Sequence, residues 1–186
     1  MGFRFGINML KILLPLTLLG LAALAQQPVQ PGEKLAPYYP TPETIVERML
    51  DVGQLKAGEK MFDLGSGDGR IVIMAAQRYR AIATGVELDN DLYIESEGKI
   101  MSLGLKNAHI IHGDILKQDY SSANLITVYL LPESNLKVRP ILDAQLKKGT
   151  RVVAHDFEIG GWKPDKTITI ADDGEGRSHT LFLYLK

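Results

Sequence analysis

Apolar and polar positions are arranged in blocks along most of the chain, and the period of the blocks switches back and forth. Ile45, Val46, Met49, Leu50 and Val52 fall on one stripe at helical spacing, which predicts a helix from Thr41-Pro42-Glu43 to about Gln54. Its start offers a capping hydroxyl, a proline at the first helical position and an acid in the first turn. Short apolar runs at 60–64, 81–88, 108–113, 124–131 and 150–156 predict strands. Segments 70–79 and 133–146, and the stretch that Asp89 caps and that runs towards Met101, predict the helices between them. Pro140 is expected to kink or break the helix at 133–146. The tail changes character: "KTITIA" and "SHTLFLYL" flank the turn-rich "DDGEGR" and predict an antiparallel hairpin.

Strands that alternate with helices pack as a mostly parallel sheet covered on both faces, a Rossmann-like three-layer α/β sandwich. Seven strands are expected, the last pair forming the hairpin. In such sheets a ligand binds beyond the carboxyl ends of the strands, at the switch point. No internal repeat interrupts the order, and 186 residues suffice for one domain, expected over 41–186.

The front of the chain differs. Ile12 to Leu24 is apolar except for Pro15, Thr17 and Gly20, with Arg4 and Lys11 as the only charges before Gln26. Ala23-Leu24-Ala25 then resembles a cleavage site, so 1–25 is expected to be a secretory signal peptide and the chain exported, to a periplasm. An uncleaved membrane anchor is the alternative, since a run counted from Ile7 nearly reaches the ~20 residues of a spanning helix. The two charges ahead of the run favour translocation of the residues after it. Residues 26–40 are proline-rich and predict a linker passing into an ordered lead-in.

Charge and composition narrow the chemistry. A formal net charge of −1 gives no electrostatic reason to expect nucleic acid as a partner. The absence of cysteine excludes disulfides, thiolate metal sites and a cysteine nucleophile. His109, His112, His155 and His179 lack ligand spacing on any one element, so no metal is expected.

"DLGSGDGRIV" (63–72) lies between a predicted strand and a predicted helix. Gly65, Gly67 and Gly69 permit a tight turn and close approach of backbone to ligand. A dinucleotide fingerprint would space its glycines G-x-G-x-x-G/A; here the spacing is G-x-G-x-G and position 70 is Arg. Asp63 and Asp68 beside the loop disfavour a pyrophosphate and favour a cationic amino-acid tail. No Gly-Lys-Ser/Thr follows, which excludes a P-loop. The next strand ends at Glu87, which suits the two hydroxyls of a ribose. The one after ends at Gly113-Asp114, whose carboxylate suits an exocyclic adenine amine. A nucleoside with a charged amino-acid tail and no phosphate is S-adenosylmethionine (SAM).

Asp63 to Gly69, then Glu87, then Asp114, resemble the first three motifs of class I, seven-strand SAM-dependent methyltransferases. The resemblance covers about residues 40–186 and implies the sheet order 3-2-1-4-5-7-6. It also implies that Asp63 or Asp68 faces the methionine end of SAM, Glu87 the ribose and Asp114 the adenine, with Ser66, Leu88 and Ile115 beside them. "PYYPTP" (37–42), "DLGSGDGRIVI" and "GVEL" further resemble a subfamily of protein-lysine methyltransferases. Its members include mitochondrial enzymes with an N-terminal membrane segment that modify the ADP/ATP carrier and a component of ATP synthase. By that likeness Tyr38, Tyr39 and Thr41 would close over SAM, and the acceptor would be a protein lysine. Methylation of a small-molecule or lipid-linked acceptor, or a non-catalytic adenosyl-ligand binder, are the alternatives.

Many amino-methylating relatives carry an Asn/Asp-Pro-Pro-aromatic motif after the fourth strand. This chain has Leu130-Leu131-Pro132-Glu133 there, which argues against adenine or glutamine methylation. Tyr129, Pro132 and Glu133 are therefore candidates for the acceptor pocket, and His155 or Asp156 for taking a proton. Phe157, Ile159 and Trp162 are candidates for an acceptor groove.

Overall fold

The computed structural model describes residues 35–186, together with 1, 2 and 32. The expected signal or anchor segment and most of the proline-rich linker therefore lie outside the described residues. Among those described, no helix is long and apolar enough to cross a membrane.

The element order is α1 (Glu43–Val52), β1 (Lys60–Leu64), α2 (Arg70–Arg78), β2 (Ile82–Glu87), α3 (Asn90–Ser102), β3 (Ala108–His112), a 3-10 turn (Ile115–Lys117), β4 (Leu125–Val128), α4 (Pro132–Gln145), β5 (Arg151–His155), β6 (Lys166–Ile170) and β7 (His179–Leu185). One seven-stranded sheet results, in the order β3-β2-β1-β4-β5-β7-β6. The first five strands pair in parallel, and β7 runs antiparallel to both β5 and β6. This is the expected Rossmann-like architecture.

Successive side chains on a strand point to opposite faces, and both faces are covered. Leu125, Val153, Leu181 and Leu183 face the layer of α1 and α2, where Ile45, Val46, Met49, Leu50, Val72 and Ala75 are buried. Their neighbours Ile126, Val152, Ala154, Phe182 and Tyr184 face α4, which contributes Val138 and Leu142. The central strands β1, β2, β4 and β5 read as nearly continuous apolar runs because neither face meets water, whereas the edge strand β6 alternates and stays largely exposed.

Three local expectations are corrected. Thr41 does not cap α1: Pro42 occupies the N-cap position, its carbonyl accepts from the Ile45 and Val46 amides, and no side chain caps the helix. The Thr41 hydroxyl instead turns inward, 3.4 Å from His155 Nδ1. Pro140 does not break α4, which runs unbroken from Pro132 to Gln145. Pro140 is exposed, so the missing amide bond falls on the solvent side. β4 ends at Val128, short of the expected 131, because Leu131 must be extended (φ −64°, ψ 156°) to precede Pro132. Asp89 does cap α3, accepting from the Asp91 and Leu92 amides.

Candidate active site

The ends of β1, β2 and β4 and the segment just past β3 open into one cleft of about 1090 Å³, solvent mouth included. Tyr38, Tyr39, Thr41, Asp63, Gly65, Ser66, Gly67, Asp68, Glu87, Leu88, Asp114, Ile115 and Tyr129 all line it. Three acids from neighbouring strand ends thus converge on one space, around the glycine turn.

That turn is built by its backbone. The Gly65 and Ser66 amides donate to the Val86 carbonyl, which ties the loop after β1 to the end of β2. The Gly67 amide donates to Glu87 Oε2 at 2.7 Å, and Glu87 Oε1 accepts from the Asp89 amide at 2.8 Å. Glu87 is therefore both a wall of the cleft and a brace between two loops. Gly67 has φ 54°, and a Cβ there would lie 2.7 Å from the Tyr38 ring, so the lead-in can lie over the loop only if position 67 is bare. Gly69 does not line the cleft, which corrects its expected place. It is the N-cap of α2 at φ 79°, with a hypothetical Cβ 2.9 Å from Ser96 Cβ, and so sets how closely α2 meets α3.

The acids are electrically distinct. Burial pushes the Asp63 carboxyl up; the Thr127 hydroxyl, donating at 2.7 Å, opposes this, and the charges of Glu87 and Asp68 add to it, leaving it at about 7. Burial also acts to raise Asp68, but hydrogen bonds and charge from Arg70 and Lys99 outweigh it and hold the group at about 2. Arg70 Nε and Nη2 reach Asp68 at 2.9 Å each, and Lys99 Nζ reaches it at 3.2 Å. Asp68 is thus spoken for by two cations, a pairing that sequence reasoning missed because Lys99 comes from the far end of α3. Asp114 Oδ1 accepts from the Leu116 amide and caps the 3-10 turn, while its carboxylate still borders the cleft.

The described end of the lead-in, residues 35–40, is tied to the domain as a strap. The Ser134 hydroxyl donates to the Leu35 carbonyl, and Arg177 Nη1 donates to the Tyr39 hydroxyl at 2.6 Å. Tyr38 and Tyr39 nevertheless remain among the exposed large apolar residues, at the mouth of the cleft.

On the acceptor side the structure sorts the candidates. Tyr129 lines the cleft, and its hydroxyl lies 3.5 Å from Asp156 Oδ2. Burial, then the Asp156 charge, raises the Tyr129 phenol, so it keeps its proton. Asp156 itself does not line the cleft; it meets it only through Tyr129. Phe157 does line it. Glu133 does not: it stands exposed on the first turn of α4, where the helix turns it away from the cleft. Pro132 beside it is likewise exposed and outside the lining. Ile159 is buried in the layer beneath α4, and Trp162 packs there with its Nε1 donating to Asp143, so neither forms an acceptor groove. His112 stacks on Tyr93, and His109 reaches Thr84. His155 and His179, separate in sequence, meet at 2.9 Å.

A seven-strand sheet in this order, with an antiparallel last pair and a cleft at the carboxyl ends of β1 and β2, defines a class I SAM-dependent methyltransferase. Comparison with known proteins agrees. Residues 63–166 match the ANTKMT methyltransferase domain. The chain is 40% identical over 151 residues to a protein-lysine N-methyltransferase of Saccharolobus islandicus, covering 80% of this chain and 92% of that one. It is 33% identical over 141 residues to the adenine nucleotide translocase lysine N-methyltransferase of Mus musculus, covering 75% of this chain and 59% of that one. Among solved structures, an RNA methyltransferase from Salinibacter ruber in complex with S-adenosyl-L-homocysteine superposes with a TM-score of 0.73 at 40% identity, covering 79% of this chain and 93% of that one. The chain belongs to the ANTKMT methyltransferase domain family, and its methyl donor is SAM.

Proposed function

We propose that this chain transfers the methyl group of SAM to the side-chain amine of a protein lysine. The observation that carries the reading is the Tyr129–Asp156 contact at the edge of the cleft. A lysine amine, ordinarily charged below a pKa of about 10.4, must shed a proton before it has a lone pair to offer. A nucleophile whose attacking atom carries no proton, such as an imine-type ring nitrogen or a thioether sulfur, needs no such acceptor. The lysine N-methyltransferases among its relatives support the same acceptor.

When bound, SAM supplies a methyl group already activated on a sulfonium centre. The chain's part is to hold, orient and keep dry. Glu87 is placed to accept from ribose hydroxyls and Asp114 from the adenine amine. Asp63, rather than the already paired Asp68, is the acid left to answer the cationic tail. Leu88, Ile115 and Leu130 supply apolar wall. Tyr129 donates to Asp156, and the carboxylate takes the proton that the amine gives up.

A second reading follows from the Salinibacter ruber structure, described as an RNA methyltransferase. The formal net charge of −1 favours protein over RNA, because phosphate contacts demand a basic surplus. The test is incubation of the full chain with tritiated SAM and, separately, a membrane-protein extract, total RNA and a lipid extract. Acid hydrolysis of labelled protein is expected to release methyl-lysine. Label in RNA or lipid alone, or cofactor binding with no transfer to any fraction, would overturn the proposal.

A further inference from the structure

Four ionisable side chains stand behind Tyr129: His155 and Asp156 at the end of β5, Asp173 in the β6–β7 turn, and His179 at the start of β7. Both imidazoles are buried, at 1% and 5% exposure. Thr41 Oγ1 lies 3.4 Å from His155 Nδ1, His155 Nε2 lies 2.9 Å from His179 Nδ1, and His179 Nε2 lies 3.2 Å from Asp173 Oδ2. Asp156 Oδ2 stands beside this line, 3.3 Å from His155 Nε2 and 3.2 Å from His179 Nδ1. Asp156 holds a left-handed backbone (φ 57°), a conformation costly for a residue with a Cβ, and the Thr180 amide donates to its Oδ1 at 2.8 Å.

The donors and acceptors can be counted. With His179 neutral, its Nε2–H donates to Asp173. Its Nδ1 accepts from His155 Nε2–H, which also faces Asp156, and the Thr41 hydroxyl donates to His155 Nδ1. With one more proton on His179, both ring N–H groups point at carboxylates, Asp173 and Asp156. His155 keeps one proton on Nε2, facing Asp156 Oδ2 3.3 Å away, and the Thr41 hydroxyl still donates to its Nδ1. Both states satisfy every ring nitrogen with the heavy atoms in place.

We propose that this cluster is the proton sink of the transfer reaction, with His179 holding, between Asp156 and Asp173, the proton that the acceptor amine sheds. The proposal rests on the amine-acceptor reading above. An N–H bond of the ammonium breaks, and its electron pair stays on nitrogen for the new bond to carbon. Tyr129 takes that proton as its own passes to Asp156, so the phenol is unchanged. Asp156 hands the proton to His155 Nε2, 3.3 Å away, as the proton already there passes to His179 Nδ1, and regains its charge. It returns the proton to water afterwards through its own side chain, which is 26% exposed. His179 and Asp173 act through Asp156 and are positioning residues.

The surroundings fit this use. The groups facing His179 are His155 at the end of β5, Asp156 just past it and Asp173 from the turn. Arg177, 3.1 Å from Asp173 Oδ2, faces the far side of that carboxylate. Burial would raise Asp173, but hydrogen bonds from the Glu175 and Arg177 amides and from His179, with the Arg177 charge, hold it at about 2, a lasting anion opposite the ring. Burial lowers His155 to about 4, against the Asp156 charge, so that ring stays neutral and relays rather than stores.

The test uses the full chain, tritiated SAM and poly-L-lysine as acceptor, with His179→Gln and Asp173→Asn. Near neutral pH each variant is expected to lose transfer by roughly 100-fold, the low end for a general base. Most of it should return near about pH 10, where the amine deprotonates unaided. SAM affinity should be unchanged. Equal loss at all pH, or wild-type pH profiles in both variants, would overturn the proposal while leaving the lysine reading intact. A wild-type chain that binds SAM but labels no amine at any pH would sink both. Independently, ring-nitrogen NMR of the wild type should show His179 gaining its second proton while His155 stays neutral with its proton on Nε2. A ring that never does so, or a stoichiometric bound zinc, would also overturn it.

Discussion

Replacing Asp63 by Asn tests whether the site is built at the expense of the fold. Carrying a carboxyl from its ordinary 3.8 to about 7 corresponds to about 4 kcal/mol for charging it inside the folded chain. The sign follows from proton binding. Between these two values the folded state holds a proton that the unfolded state has lost, so stability falls as pH rises towards about 7. Asn keeps the acceptor for the Thr127 hydroxyl but brings two N–H groups to satisfy, so a net gain of about 2 kcal/mol is expected at about pH 8. For a chain of this size that raises Tm by about 4–8 °C. At about pH 5 only about 1.6 kcal/mol of that penalty has been incurred, which the unsatisfied amide N–H groups offset, so the gain should vanish. Urea unfolding of cofactor-free wild type and Asp63→Asn at both pH values measures this. Calorimetry at about pH 8 should find SAM binding at least about tenfold weaker in the variant, worth about 1.4 kcal/mol or more for the lost counter-charge. A variant no more stable at the higher pH, or a gain equal at both, would refute the reasoning.

Gly67→Val should abolish measurable SAM binding in calorimetry while circular dichroism shows the sheet intact, because the new side chain meets the Tyr38 ring. Glu87→Gln keeps an acceptor for one loop amide only, and is expected to weaken SAM and lower Tm by a few degrees, the cost of about 1 kcal/mol of lost charged hydrogen bonding. Tyr129→Phe should leave SAM affinity near wild type and cut transfer to poly-L-lysine by at least about tenfold; equal loss of both would assign the phenol to cofactor binding instead. Mass spectrometry of the native N-terminus should read Gln26 first if the expected signal is removed, and an intact Met1 would mark an anchor.

The sheet was legible in the sequence because its central strands β1, β2, β4 and β5 are buried on both faces and therefore stand out as apolar runs between polar helical stretches. The cofactor edge was legible too, since Asp63, Glu87 and Asp114 each close or follow such a run. What the sequence hid depends on distance in the chain. Thr41 looked like a helix cap because hydroxyl-Pro-acid is a good local start, yet a buried imidazole 114 positions away takes the hydroxyl instead. Asp68 looked available because its cations, Arg70 apart, come from another helix. Glu133 looked like a pocket residue because it follows the strand end, but one turn of α4 carries it away. His179 offered no local signal: only the antiparallel register, which sets His155 against Leu181, brings it beside Asp156.

The position of β7 has a consequence for how the chain assembles. β6 touches the sheet only through β7, which follows it in sequence yet lies between it and β5. When β6 is first synthesised it has no neighbour to bond, so it must wait for β7, pair with it as a hairpin within microseconds, and dock as a unit. His179 rides on that hairpin and Asp173 in its turn, so the innermost part of the proposed proton sink is laid down last, on a cofactor edge that the preceding strands have already shaped.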